Sequence, residues 1–145
     1  MADDKFITGG RDRAQRGQIK VLMVDDNVDA VNALDQVMRF YGYETVVAYS
    51  GRDALRLMDS ARPDVVILDL AMPEISGFDL AQRFRETRSA DDLLLIALTA
   101  WGDTVATELT EAAGFDFHVV KPGDPAALSA LIEEEAFRRR VGRSF

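Results

Sequence analysis

The most constraining feature of the sequence is a regular alternation of two patterns from Ile19 onward. Five short apolar runs are separated by longer stretches in which apolar residues recur at helical spacing. The runs are IKVLMV (19–24), YETVVAY (43–49), DVVILD (64–69), LLLIAL (93–98) and FDFHVV (115–120). Their consecutive apolar positions predict strands that are buried on both faces, as in a parallel sheet.

The stretches between the runs predict helices. In the first of them, Val31, Leu34, Met38 and Tyr41 share one helical face, and Gly42 follows as a stop signal. Strands that alternate with helices pair in parallel through right-handed crossovers. The sequence therefore predicts the α/β class, with a doubly wound five-stranded parallel sheet and five helices.

Composition excludes several classes of site. The 145-residue chain has no cysteine and one histidine, His118, which excludes disulfides, cysteine-based zinc sites and multi-histidine metal sites. A formal net charge of -8 disfavours nucleic acid as a partner, because phosphates attract clustered basic residues. Residues 1–20 lack a secretory pattern, and LLLIALTA (93–100) is too short to cross a bilayer. We expect no membrane contact and a cytoplasmic location.

Three segments are predicted along the chain. Residues 1–18 are polar and rich in glycine, which indicates a flexible N-terminal arm. Residues 19–137 contain the alternating pattern and form the predicted folded domain. Residues 138–145 form a basic C-terminal tail with four arginines. The tail is interpreted either as a solvated helix end or as a contact for an acidic partner.

Chemically reactive residues follow the predicted strands. Asp25 and Asp26 follow the first strand, Asp69 the third, Thr99 the fourth and Lys121 the fifth. Sheets of this kind bring the carboxyl ends of their strands to one edge. Clustered carboxylates repel one another and need a cation, and oxygen ligands without histidine or cysteine favour Mg²⁺. Because a carboxylate can attack phosphorus, the pattern predicts phosphoryl transfer onto an aspartate.

The order of these motifs resembles that of a known family. The acidic pair, LDLAMPEISG (68–77), LTA (98–100) and KP (121–122) occur as in the receiver domains of response regulators, which serve two-component and phosphorelay signalling. The resemblance covers roughly residues 19–136 and extends to receivers of hybrid histidine kinases. It implies a flavodoxin-like sheet with strand order 2-1-3-4-5.

The resemblance also implies a phosphoacceptor and a metal site. Asp69 is the expected phosphoacceptor and a metal ligand. Asp26 is expected to bind Mg²⁺ directly, Asp25 largely through water, and Ala71 through its backbone carbonyl. Mn²⁺ is an alternative ion.

Other expected roles surround the phosphoryl group. Thr99, Ala100 and Lys121 are expected to bind it, with Thr99 moving toward it on activation. The resemblance implies a cis peptide between Lys121 and Pro122, and Gly77 allows a tight backbone after the site.

Two aromatic residues near the site have alternative interpretations. His118 stands three residues before Lys121 and is either the switch side chain of the family or a half-buried strand residue without a signalling role. Trp101 follows Thr99 by two residues and is either a partly exposed loop aromatic or a shield that slows hydrolysis of the acyl phosphate.

A second small apolar stripe lies on the first helix at Ala30, Ala33 and Val37. It is either an ordinary exposed face of a good helix former or the docking surface for a histidine kinase or a histidine phosphotransfer protein. Docking is the preferred interpretation because the family docks in this way.

The expected function is that of a single-domain receiver without an output domain. It takes a phosphoryl group from a partner phosphohistidine and then alters a contact with a downstream protein or passes the group onward. It is not expected to be an enzyme beyond catalysing its own phosphorylation and slow dephosphorylation. Homodimerisation through the fourth helix, fifth strand and fifth helix is left open.

Two other functions compete with this expectation. One is a binding module of the same fold that works without phosphorylation. The other is a phosphatase with an aspartyl-phosphate intermediate, which is weaker because such enzymes of the haloacid dehalogenase type need a second acid where Ala71 stands.

Overall fold

Five parallel strands form the centre of the molecule. The structure is a computed structural model that describes residues 17–100 and 104–144, with side chains described for 17–100 and 107–139. The strands are β1 (Lys20–Val24), β2 (Glu44–Ala48), β3 (Val65–Asp69), β4 (Leu94–Thr99) and β5 (Phe117–Val120). All four pairings are parallel and the order is β2-β1-β3-β4-β5. The predicted fold class and strand order are confirmed.

Five helices connect or follow the strands within the described residues. They are α1 (Val28–Phe40), α2 (Gly51–Ala61), α3 (Gly77–Thr87), α4 (Thr104–Ala113) and α5 (Pro125–Ser144). The first three begin at polar caps, because the side chains of Asn27, Ser50 and Ser76 each accept a hydrogen bond from an amide three residues later. Gly42 and Gly114 follow α1 and α4 with positive φ, as helix-stop residues do.

Apolar side chains fill both sides of the sheet. One core layer joins the sheet to α1 and α5, and the other joins it to α2, α3 and the end of α4. Every residue of β3 and β4 is buried, whereas the edge strands β2 and β5 are mostly half-buried. This burial explains why the central strands are apolar at consecutive positions.

Two details differ from the sequence-based expectations. Tyr41 does not join the core face of α1 and is 38% exposed. Tyr43 supplies the buried aromatic instead, and its hydroxyl donates to Glu133 Oε2 of α5 at 2.7 Å. The expected domain end at 137 lies inside α5, which continues to Ser144.

Residues 1–16 of the expected N-terminal arm lie outside the described residues, and so does Trp101. At the end of the arm, Gln18 Nε2 donates to the carbonyl of Gly42 at 2.7 Å. No helix in the described part of the chain is long and apolar enough to cross a membrane.

Candidate functional site

Three carboxylates meet where β1 and β3 end. These strands are neighbours, with Val24 opposite Leu68, so the residues that follow or end them lie side by side. Asp25, Asp26 and Asp69 each offer an oxygen, and these oxygens all lie within 4.8 Å of one another. Asp25 and Asp69 are buried, whereas Asp26 is exposed. The cluster could hold a metal ion, and its all-oxygen donor set suits a hard divalent cation.

Lys121 brings a positive charge to this cluster. Its Nζ lies 3.0 Å from Asp69 Oδ1 and 3.5 Å from Asp25 Oδ2. Burial raises the pKa of Asp69, and repulsion from Asp25 adds to this, while the contact with Lys121 opposes it. Burial by itself would lower the pKa of Lys121, but attraction to Asp69 and Asp25 outweighs it, so this pKa is raised. Three carboxylates beside one ammonium give this cluster a formal excess of negative charge.

The loop after β3 holds Asp69 in a fixed position. The amide of Ala71 donates to Asp69 Oδ1 at 3.4 Å, and the amide of Gly77 donates to the carbonyl of Leu70 at 3.1 Å. A Cβ atom at residue 77 would lie 2.5 Å from the backbone oxygen of Asp69. Glycine is therefore required there by close backbone approach. Ala71 itself is exposed, and a metal-binding role for its carbonyl stays a prediction.

The fourth and fifth strands bring the remaining predicted residues to the same edge. Thr99 is buried, and its carbonyl accepts a hydrogen bond from the amide of Lys121 at 2.6 Å. Ala100 is exposed at the end of β4. The Lys121–Pro122 peptide is cis, as expected.

His118 lies on β5 and is half-buried. Its Nδ1 is 3.5 Å from Thr107 Oγ1, so the ring contacts α4. This position is compatible with the switch interpretation, which remains a prediction.

The predicted docking residues do not belong to the carboxylate cluster but lie beside it. Ala30, Ala33 and Val37 are exposed on α1. They line a groove of about 590 Å³, and Pro122 and Gly123 line it too. We call this space the α1 groove.

Asn27 was not singled out by sequence reasoning, although it directly follows the acidic pair. Its backbone amide donates to Asp25 Oδ1 at 2.9 Å, and its side chain caps α1 by accepting from Ala30. The position before a predicted helix was the available signal, since asparagine is a preferred N-cap residue. Asn27 thus fixes the orientation of Asp25 while it starts the helix.

A comparison with protein families decides the identity. The model of the response regulator receiver domain matches residues 21–133. The chain belongs to this family. The receiver domain therefore shares its fold and motif order with proteins of two-component signalling.

Individual relatives agree with this assignment. The receiver domain is 40% identical over 126 residues to a probable transcriptional regulator ycf27 of Guillardia theta, a match that covers 86% of the chain and 47% of that protein. The chain thus spans about half the length of this relative. The chemotaxis protein CheY4 of Vibrio cholerae superposes with a TM-score of 0.76 at 29% identity, covering 81% of this chain and 98% of that one.

A CheY-like receiver domain protein of Methanospirillum hungatei superposes with a TM-score of 0.79 over 87% of this chain and 99% of its own. Its identity of 21% shows the shared fold alone.

Proposed function

We propose that this receiver domain accepts a phosphoryl group on Asp69 from a phosphohistidine of a histidine kinase or a histidine phosphotransfer protein. The observation that carries the proposal is the contact of Lys121 Nζ with Asp69 Oδ1 at 3.0 Å, inside a cluster of three carboxylates. A buried carboxylate beside a cation and two further acids is suited to become an aspartyl phosphate.

The transfer step assigns a role to each oxygen of Asp69. Oδ1 is held by Lys121 and the amide of Ala71, so we assign the attack to Oδ2. A bond forms between Oδ2 and phosphorus while the bond between phosphorus and the donor imidazole nitrogen breaks. The imidazole leaves with the bonding electrons and takes up a proton. Lys121 and Thr99 then hold the transferred oxygens.

Asp25, Asp26 and Asp69 are the side chains that would hold Mg²⁺, with the Ala71 carbonyl as a further ligand and Mn²⁺ as an alternative ion. The bound ion would supply positive charge to the phosphoryl oxygens. Because the chain's own residues form the site, the receiver domain would catalyse its own phosphorylation, with the phosphohistidine as donor. The predicted cytoplasmic location stays a prediction.

Output from the domain would pass through the fourth and fifth strands. Thr99 is the last residue of β4, and His118 on β5 already contacts Thr107 of α4. Attraction of Thr99 toward the phosphoryl group would change the packing of His118 and shift the equilibrium between two arrangements of α4 and β5. A downstream protein, or a second receiver through α4, β5 and α5, would read this change.

The donor protein would dock on the exposed stripe of α1. Ala30, Ala33 and Val37 lie beside the mouth of the site, so a helix that covers them can present its phosphohistidine to Asp69. We expect Ala33→Glu to prevent phosphorylation by the protein donor and to leave phosphorylation by acetyl phosphate unchanged. Loss of both routes or of neither would contradict this docking surface.

The central experiment is intact mass spectrometry after incubation with acetyl phosphate and Mg²⁺. Wild type should gain one phosphoryl group, and Asp69→Asn and chelator-treated wild type should gain none. Asp59→Asn, which alters an exposed acid of α2, is the matched control and should behave as wild type.

Two results would separate the alternatives. If wild type binds Mg²⁺ but gains no mass from acetyl phosphate or from a phosphohistidine protein, the proposal fails and a phosphorylation-independent binding module is favoured. If Asp69→Asn gains mass as wild type does, Asp69 is not the phosphoacceptor.

A further inference from the structure

One turn of the chain contacts both segments that carry the buried carboxylates. We call residues 48–51, which join β2 to α2, the β2–α2 turn. At its start, the carbonyl of Ala48 accepts a hydrogen bond from the amide of Asp25 at 3.1 Å. At its end, the buried Gly51 lies against Ile75 of the loop that follows β3. The turn itself supplies none of the three carboxylates, so any role in the site must come through these contacts.

Close approach, rather than backbone angle, requires glycine at residue 51. The φ of Gly51 lies outside the left-handed range, so alanine could adopt the same backbone and would favour the helix. A Cβ atom there would, however, lie 2.9 Å from Ile75 Cβ and 3.3 Å from Leu80 Cδ1. Ile75 Cβ is bonded directly to the loop backbone, so rotation of the side chain cannot move it away. The loop itself would therefore have to shift.

The loop after β3 depends on this contact because it is strained and partly exposed. Ala71 and Glu74 are exposed, and Glu74 has φ 67°. Such a backbone persists only where neighbouring contacts hold it in place. Met72 packs on the core layer of α2 and α3 on one side of Glu74, and Ile75 packs on it on the other side. The contact of Ile75 with Gly51 thus helps to set where the exposed part of the loop lies.

Two further hydrogen bonds hold the β2–α2 turn in place. The hydroxyl of Ser50 accepts from the amide of Asp53 at 3.2 Å and caps α2. The hydroxyl of Tyr49 donates to Asn32 Oδ1 of α1 at 2.8 Å. Because the turn is tied to two helices and to β1, a side chain added at its end would displace the loop more readily than the turn.

We propose that the β2–α2 turn positions the loop after β3 relative to Asp25, with Gly51 as a positioning residue of the site. The turn holds the end of β1 through Ala48 and the loop through Gly51, so it sets the separation between Asp25 and the carbonyl of Ala71. This role rests on the proposed function, in which both groups hold one divalent cation. Ligands that are held in place by outer contacts bind a metal more tightly than ligands that must first be brought together.

Gly51→Ala tests the contact directly. In nitrogen–proton correlation spectra of the metal-free chain, we expect the amide signals of Ala71 and Gly77 to shift, because both amides belong to the displaced loop or its end. In calorimetric titration of the folded protein, the dissociation constant of Mg²⁺ should rise by about tenfold.

Met58→Ala is the matched control. It removes a buried side chain from the same core layer, about 10 Å further along α2. It should unfold at lower urea concentration than wild type, because it leaves a cavity in the core. The amide signals of Ala71 and Gly77 should stay in place, and the dissociation constant of Mg²⁺ should stay within about twofold of wild type.

Two variants of Ile75 test the other side of the contact. Ile75→Val keeps Cβ and Cγ2, the two atoms that approach residue 51, and should bind Mg²⁺ within about twofold of wild type. Ile75→Ala removes Cγ2 and most of the packing that holds the loop. Its dissociation constant for Mg²⁺ should rise by about tenfold, as in Gly51→Ala.

Three results would overturn the proposal. Unmoved signals of Ala71 and Gly77 in Gly51→Ala would show that the loop does not rest on the turn. Moved signals with wild-type Mg²⁺ affinity would show that the cation does not depend on the position of the loop. An equal loss of affinity in Met58→Ala would show that the effect is one of stability alone. If wild type itself binds no Mg²⁺, the metal site of the proposed function is contradicted, whereas the signals of the metal-free chain still decide whether Gly51 positions the loop.

Discussion

The two edges of the sheet differ in how their charged side chains are balanced. One is the edge where the strands begin, and the other is the edge where the strands end. At the beginning, Arg85 of α3 donates to three backbone carbonyls and pairs with Asp116 at 2.8 Å. At the end, Asp25, Asp26 and Asp69 share the single ammonium of Lys121. The first arrangement pairs each charge, and the second leaves negative charge in excess.

Asp116 is the centre of the balanced edge. Besides Arg85, its Oδ2 accepts from the amide of Leu95 at 2.9 Å and lies 3.5 Å from Arg139 Nη2 of α5. This one carboxylate therefore joins α3, β4 and α5. Among the described residues, one buried side-chain polar atom lacks a partner, and it is Nη1 of the nearby Arg88.

The contrast separates what stabilises the fold from what prepares it for a ligand. Paired charges lower the free energy of the folded state only if both partners remain, and they need no further ion. Clustered like charges raise that free energy until a cation arrives. We therefore expect the free energy of unfolding to depend mainly on the charged residues at the edge where the strands begin. The response to a bound cation should depend mainly on those at the edge where the strands end.

The largest expected effect is that of Arg85→Ala. It leaves Asp116 partly unpaired in a site where the two side chains are only 16% and 18% exposed, and it frees three carbonyls. We expect a loss of about 3 kcal/mol in the free energy of unfolding. Mg²⁺ affinity of the folded protein should stay within about twofold of wild type.

Urea denaturation and calorimetric Mg²⁺ titration measure these two quantities. Arg56→Ala is the matched control, since its partner is Asp53 and the side chains are 68% and 43% exposed. It should cost less than about 1 kcal/mol. A similar cost for both variants would mean that the edge where the strands begin is not the stabilising one.

The next effect is stabilisation by Mg²⁺ itself. At a concentration about a hundredfold above its dissociation constant, an ion that binds only the folded state adds about 2.7 kcal/mol. Arg85→Ala should gain as much as wild type, whereas Asp26→Asn should gain much less at the same concentration. Thermal denaturation with and without chelator gives the comparison. Equal gains for wild type and Asp26→Asn would place the ion outside the cluster.

A smaller stabilisation is expected for Asp69→Asn without metal, which is opposite in sign to the effect of Arg85→Ala. The pKa of Asp69 is raised in the folded state, so the stability it contributes is present below its ordinary value of 3.8 and is lost as pH rises through the folded value. At pH ~7 its ionisation therefore destabilises the protein, and asparagine removes that cost. Lys121 keeps Asp25 as a partner.

We expect Asp69→Asn to unfold at higher urea concentration than wild type at neutral pH, by about 1 kcal/mol. The difference should shrink as pH falls toward 3.8, the ordinary value for this carboxyl group. Asp59→Asn, on an exposed part of α2, serves as control. A variant less stable than wild type at neutral pH would show that the carboxylate is satisfied by its contacts without metal.

Sequence patterns predicted the residues at the carboxyl edge, where the strands end, better than those at the edge where the strands begin. The reason is physical. Asp25, Asp69, Thr99 and Lys121 each follow or end an apolar run, so the topology alone brings them together. Arg85 lies within a helix pattern and gives no signal that it will contact Asp116, which is 31 residues away. Long-range pairs of this kind depend on loop paths that periodicity does not describe.

The position of the buried tyrosine shows the same limit of sequence patterns. Tyr41 continues the apolar spacing of α1, but the helix ends at Phe40 and Gly42 turns the chain, so Tyr43 becomes the buried ring. The groove beside α1 was not predicted either. Its volume depends on the spacing between α1 and residues 121–123, which is a property of the packed structure.

The smallest expected effects concern two residues with left-handed backbone, one beside each edge. Glu74 has φ 67° in the loop after Asp69, and Arg62 has φ 48° where α2 ends before β3. Glycine adopts such angles without strain but loses more entropy on folding, so the relief of strain exceeds the entropic cost only by a small margin. We expect Glu74→Gly and Arg62→Gly each to stabilise the protein by about 0.5 kcal/mol.

Mg²⁺ affinity should tell these two variants apart. Removal of Glu74 takes a negative charge from the loop of the carboxyl edge, so Mg²⁺ should bind about twofold more weakly at low salt. Arg62→Gly should leave the affinity unchanged. Glu74→Gln, which removes the charge and keeps the strained backbone, separates the causes: it should weaken Mg²⁺ binding without stabilising the fold. If Arg62→Gly alters Mg²⁺ affinity as much as Glu74→Gly does, the two edges are not electrostatically separate, because a charge beside either one would then act on the same ion.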